Sequence, residues 1–286
     1  CTGKPHLREQ DHRHRHSDRG GCGHAYEEAH AASPSVPPAP LCGGSGGDNG
    51  RRNNKTIQDL PEGIDYKKLF KIATSQGVVV ILFYALKDKM QELPKNFVDL
   101  MKKAVSLETG KDIQSSFDKE IIIKALEENE IDFMPMKGYF LKEMYPKTEM
   151  RYCSDCDILV DPKKIKQVKN ILLSLGLKID HTDTHHDVFF FPHTQTIFEI
   201  HKKLFVGELQ KYFGVGFERA FLKENYKHFY ILNKDDFSVS VLAHYAYHFN
   251  EGAGVGAKSL CDIYVLRNHD ELDNDYIDTE LIENKR

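Results

Sequence analysis

The chain has 286 residues, 40% hydrophobic and 10% aromatic, enough for one large domain or two small ones with a substantial core. A formal net charge of −4 and a pI near 6.4 argue against a surface that holds long nucleic acid through a strongly basic face. Apolar runs such as Val78 to Leu82 are too short to span a bilayer, and the charged first residues lack a signal peptide's apolar stretch, so a cytoplasmic protein is expected.

Residues 1–54 differ in composition from everything after them. DHRHRHSDRGG, SPSVPPAP and CGGSGGDNG are rich in His, Arg, Gly, Pro and Ser. Such a segment cannot bury enough apolar surface to offset the entropy of ordering it, so a disordered or non-native leader is expected. Residues 55–130 read as an N-terminal helical region. IDYKKLFKIATSQGVVVILFYALKDKM carries apolar residues at helical spacing with Gly77 as a break, and NFVDLMKKAVSLETGKDIQSSFDKEIIIKALEENE gives one or two further helices ending near Asn129.

Residues 131–210 read as mixed α/β. IDFMPM is a short buried strand, Lys137-Gly138 turns the chain, and YFLKEMY is a short helix. A second strand runs from about Tyr152 to Val160 and is bounded by Asp161-Pro162. A helix follows from Pro162 to Leu175, with proline in its first turn and Gly176 just past its end. DVFFF and TIFEIHKKL, joined by PHTQ, form a β-hairpin. Residues 211–286 read as a C-terminal helical region, with FSVSVLAHYAYHFN and KSLCDIYVLRN as helices. The acidic tail LDNDYIDTELIENKR begins another helical pattern, as though the chain were cut short there.

The string RYCSDCDILV carries the strongest chemical signal. Side chains alternate along a strand, so Asp155 and Asp157 share one face while Cys156, Ile158 and Val160 point into a core. Two carboxylates on one face of a buried strand repel each other unless a cation lies between them. Magnesium, a hard ion that bridges carboxylates to phosphates, answers that repulsion, with Mn²⁺ as the alternative. Upstream, Gly138 stands between a strand and a helix, where backbone N–H groups can hold phosphate, and Lys137 adds positive charge. Downstream, FEIHKKL sets Glu199 and His201 on one face and Phe198 and Ile200 on the other, which makes Glu199 the natural third carboxylate. Cys153 and Cys156 spell C-x-x-C, but no second pair completes a four-ligand set, and packing is the plainer reading. His185, His186, His193 and His201 gather around the hairpin without a recognised ligand spacing. His244 and His248 share a helix face, either for helix packing or at the edge of a cleft.

MKGYFLKEMYP, then MRYCSDCDILV, then FEIHKKLF resemble the bacterial family of uncharacterised nucleotidyltransferases, within the superfamily built on the DNA polymerase β palm. LAHYAYHF and GAGVGAKSLCDIYVL resemble that family's C-terminal helices, and the likeness covers roughly residues 65–275. It implies an α+β fold, a small mixed sheet with helices, flanked by N- and C-terminal helical regions. It also implies Asp155, Asp157 and Glu199 as the metal-binding catalytic carboxylates, holding one or two Mg²⁺ ions. Lys137, Gly138, Arg151 and His201 become substrate contacts, although a structural salt bridge is an equal reading for Arg151. The donor is a nucleoside triphosphate, and a small molecule or protein is the expected acceptor. The wider superfamily usually carries Gly-Ser or Gly-Gly where this chain has Lys137-Gly138, and Lys258 stands where arginine is expected. That altered turn keeps open a second reading, a catalytically degenerate binding or regulatory module.

Overall fold

A computed structural model describes residues 59–151, 153, 155–204, 217–250 and 254–283, so the expected leader lies outside the described residues. Helix α1 (Tyr66–Ser75) starts where the Asp65 side chain accepts the Lys68 N–H, and it stops at Gly77, before α2 (Val79–Ala85). The third helical stretch is one helix, α3 (Lys95–Glu128), whose 34 residues span about 50 Å at 1.5 Å each. Its two ends have different partners. Phe97, Val98 and Met101 pack with Leu86 and Leu93 and with the apolar face of α1, whereas Ile122, Ile123 and Leu126 lie under the sheet.

Strands β1 (Phe133–Pro135), β2 (Asp155–Val160), β3 (Lys178–Thr182), β4 (His186–Phe190) and β5 (Ile197–His201) make one mixed sheet in the order β1-β2-β5-β4-β3. The β2–β5 pair is parallel and the other pairs are antiparallel. Alternation divides the sheet into two faces. Helix α4 (Gly138–Leu141) follows β1, and Cys156, Ile158, Val160, Phe189, Phe198 and Ile200 point toward α3 and α5 (Ile165–Ser174), where each large apolar side chain so buried contributes about 1.5–3 kcal/mol. Helix α5 ends on Gly176, whose φ of +88° lets Leu177 N–H return to Leu172 C=O. The opposite face keeps Asp155, Asp157, Glu199 and His201.

Strand β3 is absent from the sequence reading because its residues are almost all exposed at the sheet edge and carry no apolar alternation. A small hairpin, β6 (Ala220–Leu222) with β7 (Tyr230–Leu232), joins β1 through a bridge between Phe133 and Phe229. Helix α6 (Lys234–Asn250) packs Phe237 and Val241 against Leu141, Tyr145 and Leu266, the last from α7 (Ala257–Arg267). The acidic tail folds as α8 (Asn274–Glu283), with Ile277 buried against Val239 of α6. Among the described residues no helix is long and apolar enough to cross a membrane.

Candidate active site

The site begins with a register. Strand β1 runs antiparallel to β2, and the Met136 N–H continues the ladder by donating to the Asp157 carbonyl at 2.9 Å. The following turn is closed by Tyr139 N–H on Met136 C=O at 3.1 Å, which delivers Lys137 to the Asp157 side chain. Lys137 sits at φ +41°, ψ −112°, a region normally left to glycine, at a cost of about 1–3 kcal/mol. The compensating contact is its ion pair, Nζ to Asp157 Oδ1 at 2.8 Å. Gly138 is buried, and a Cβ there would fall 2.1 Å from Cys153 Sγ, so the missing side chain makes room for that cysteine. The resemblance assigns Gly138 to phosphate approach; the geometry gives it a packing role.

The parallel pairing of β2 and β5 sets Asp157 directly beside Glu199. Two residues on, His201 Nε2 lies 2.8 Å from Asp157 Oδ1 and 3.5 Å from Glu199 Oε2. Asp157, Glu199 and His201 each bring a donor atom within 4.8 Å of the others, a grouping that can hold a metal ion. Asp155 lies half-buried on the same face and accepts the Cys153 S–H at 3.3 Å. Burial by itself would push the Asp157 carboxyl up, but the Lys137 ammonium and the His201 N–H overcome it and hold it far below the usual carboxylate range. Burial pulls the other way on His201, yet its bonds to Asp157 and Glu199 leave its pKa raised.

A family model described as uncharacterised nucleotidyltransferase matches residues 62–285. The chain belongs to this family. It is therefore a nucleotidyltransferase, a transferase enzyme. The chain is also similar to a solution structure of the antibiotic-resistance factor ANT(2'')-Ia, at 9% identity and a TM-score of 0.46, over 61% of this chain and 92% of that one. A crystal structure of ANT(2'')-Ia in complex with adenylyl-2''-tobramycin gives 8% identity and a TM-score of 0.46, over 60% and 97%. No curated protein matches the sequence.

In this nucleotidyltransferase, Lys137 and His201 of the expected substrate contacts touch the carboxylate cluster. Arg151 forms the salt bridge that was one of its two readings. Its Nε donates to both oxygens of Asp262 at 2.7 and 2.9 Å, in a pocket closed by the hydroxyls of Tyr145 and Tyr245, each 2.5 Å from the same carboxylate. The C-x-x-C cysteines are both buried and free. Cys156 lies in the core with its thiol pushed up to about 12 by burial.

The histidines separate into groups. His186, paired with His201 across the β4–β5 hairpin, stacks on its ring at 5.2 Å, whereas His193 stands exposed at the other end against Phe191. His244 of α6 reaches the cluster. Burial, then the nearby Lys137 charge and His248, lower its pKa to about 3, and Asp157 and His201 also act on it. Its Nε2 lies 2.8 Å from that of His248, so the two rings share one proton-bearing contact. The helical i, i+4 spacing was the available signal for this pair, and only the packing of α6 decided which face it meets.

Proposed function

We propose that the enzyme transfers a nucleoside monophosphate from a Mg²⁺-bound nucleoside triphosphate to a hydroxyl group of a small molecule or protein. The observation that carries this reading is the Asp157–Glu199 pair, side by side in parallel register with Asp155 on the same face. All of these are hard oxygen donors, and three carboxylates facing one way leave negative charge for a divalent cation to neutralise, so the donor set fits Mg²⁺, with Mn²⁺ as the alternative. A bound metal ion would stabilise charge on the attacking and leaving oxygens.

The side chains divide the remaining work. Glu199, half-buried and beside His201, takes the proton of the acceptor hydroxyl. The freed oxygen attacks the α-phosphorus, the α–β anhydride breaks, and pyrophosphate leaves. Lys137, on a flexible stem, turns from Asp157 to the phosphate oxygens. His244 stays neutral, so it presents an imidazole beside Lys137 without adding charge. The net charge of −4 favours a small or protein acceptor over long nucleic acid, and the triphosphate donor favours the cytoplasm.

One observation favours a second reading, a degenerate binding module: the Lys137 ammonium already offsets Asp157 at 2.8 Å. Thermal shifts with ATP, GTP, CTP and UTP, each with and without Mg²⁺, separate the two. A ligand at 100 times its Kd stabilises by about 2.7 kcal/mol. Under the enzyme reading one nucleotide raises Tm only with Mg²⁺, and Asp157→Asn and Asp155→Asn lose that rise. If no nucleotide raises Tm in the wild type, or one does so equally without metal, the enzyme reading yields to the module.

A further inference from the structure

Among the described residues, one group of side chains beyond the carboxylate cluster brings metal-ligating atoms together. His181 ends β3 with Thr182, Asp183 sits in the turn, and His186 opens β4. One donor atom from each lies within 4.8 Å of the other two. The turn is braced by Asp183 N–H on His186 C=O at 3.0 Å and Lys202 N–H on His185 C=O at 2.9 Å. Lys202 also reaches the Asp183 carbonyl at 2.6 Å, with its charge balanced by Asp187 at 2.7 Å.

The donors are also oriented. Asp183 Oδ1 accepts the N–H groups of His185 at 2.6 Å and His186 at 2.8 Å, which fixes the carboxylate and turns Oδ2 toward His186 Nδ1, 3.7 Å away. His181 Nδ1 lies 2.8 Å from Asp180 Oδ2. A carboxylate on one ring nitrogen is the arrangement that fixes the tautomer and raises the basicity of the other nitrogen in metal-ligating histidines. Two imidazoles and one carboxylate suit zinc and its transition-metal neighbours rather than magnesium, and three protein ligands leave the fourth position to water. Ligand distances of about 2.0–2.2 Å need only small rotations of these largely exposed side chains.

We propose that His181, Asp183 and His186 form a zinc-class transition-metal site at the β3–β4 turn, separate from the carboxylate cluster and joined to it by the stack of His186 on His201. Ligation of His186 fixes one neighbour of the ring that contacts Asp157 and Glu199, so the metal rigidifies that edge of the active site. The proposal does not depend on the nucleotide reading.

The full chain, dialysed against chelator-buffered Zn²⁺ and assayed for bound zinc by mass spectrometry, tests it. Its N-terminal segment carries further histidines, so the readout is the difference between variants. His181→Ala and Asp183→Asn each lose one equivalent relative to wild type, while Glu199→Gln keeps it. Asp180→Asn weakens that equivalent by about 10–100-fold. Co²⁺ in place of Zn²⁺ gives the intense visible bands of a four-coordinate site, and His181→Ala removes them. Wild-type zinc content in His181→Ala overturns the proposal. So does loss of the same equivalent in Glu199→Gln, which assigns the metal to the carboxylate cluster.

Discussion

Asp157 and Asp262 are both buried, at 4% and 0% exposure, and both face a basic side chain, yet their surroundings differ in kind. Asp262 is closed. Arg151 binds both of its oxygens, and Tyr145 and Tyr245 donate to what remains, so one negative charge meets one positive charge with its hydrogen bonds supplied. At Asp157, Lys137 and His201 both lie against a single oxygen, Oδ1, with Glu199 and Asp155 on the same face. Three carboxylates there face one lysine and one histidine. A balanced buried pair has its charges answered within the fold, whereas a surplus of one sign leaves repulsion that a bound ion of the opposite sign would relieve.

The comparison can be broken at either end. Asp157→Asn lowers transfer activity by about 10³-fold with the fold kept by circular dichroism, because a carboxylate that would hold the divalent cation against the phosphate oxygens is lost. Asp262→Ala acts on stability instead. It strands the Arg151 guanidinium and lowers unfolding free energy by about 3–5 kcal/mol in urea titrations, while molecules that remain folded keep their Mg²⁺-dependent nucleotide response. Equal loss of nucleotide response in both variants would erase the distinction.

Smaller effects sharpen it. Gly138→Ala forces a methyl group against Cys153 and destabilises by about 1–3 kcal/mol, and a Cys153→Ala background recovers most of that loss. Failure of that rescue would show that Gly138 is needed for a reason other than space. His244 titrates at about 3 in the fold against an ordinary 6.5, so as pH falls the unfolded chain takes up the proton first. The stability from its neutral form is present above pH 6.5 and drains away between 6.5 and 3. His201 has the opposite sign: its contribution is full below 6.5 and lost as pH rises through its raised folded value. His244→Gln therefore flattens the stability curve between pH 6.5 and 4.5 by about 2 kcal/mol, and an unchanged slope would place the titration elsewhere.

What the sequence determined by itself is the local and periodic part. Alternation put Asp155 and Asp157 on one strand face and Glu199 with His201 on another, and Gly77 and Gly176 marked helix ends. The end of α3 near Asn129 is legible as well, although the residue that makes the left-handed turn there is not a glycine. Helix α3 ends with Ile131 N–H on Leu126 C=O and with Glu130, not glycine, at φ +54°. Strand β3 is written in exposed polar residues because an edge strand has little to bury.

Tertiary structure decided everything that depends on which surfaces meet. The parallel register of β2 with β5 turned two separate acidic strands into one cluster, since strand pairing across 42 residues has no local sequence mark. The return of α7, 111 residues beyond Arg151, supplied Asp262 as the partner of that arginine. The packing of α6 turned His244 to a half-buried face within reach of the Lys137 and Asp157 charges, and the β3–β4 turn brought His181, Asp183 and His186 together. Alternation and helix punctuation follow from each residue's own geometry, but the neutralisation of a charge follows from its neighbours in space, which the fold alone selects.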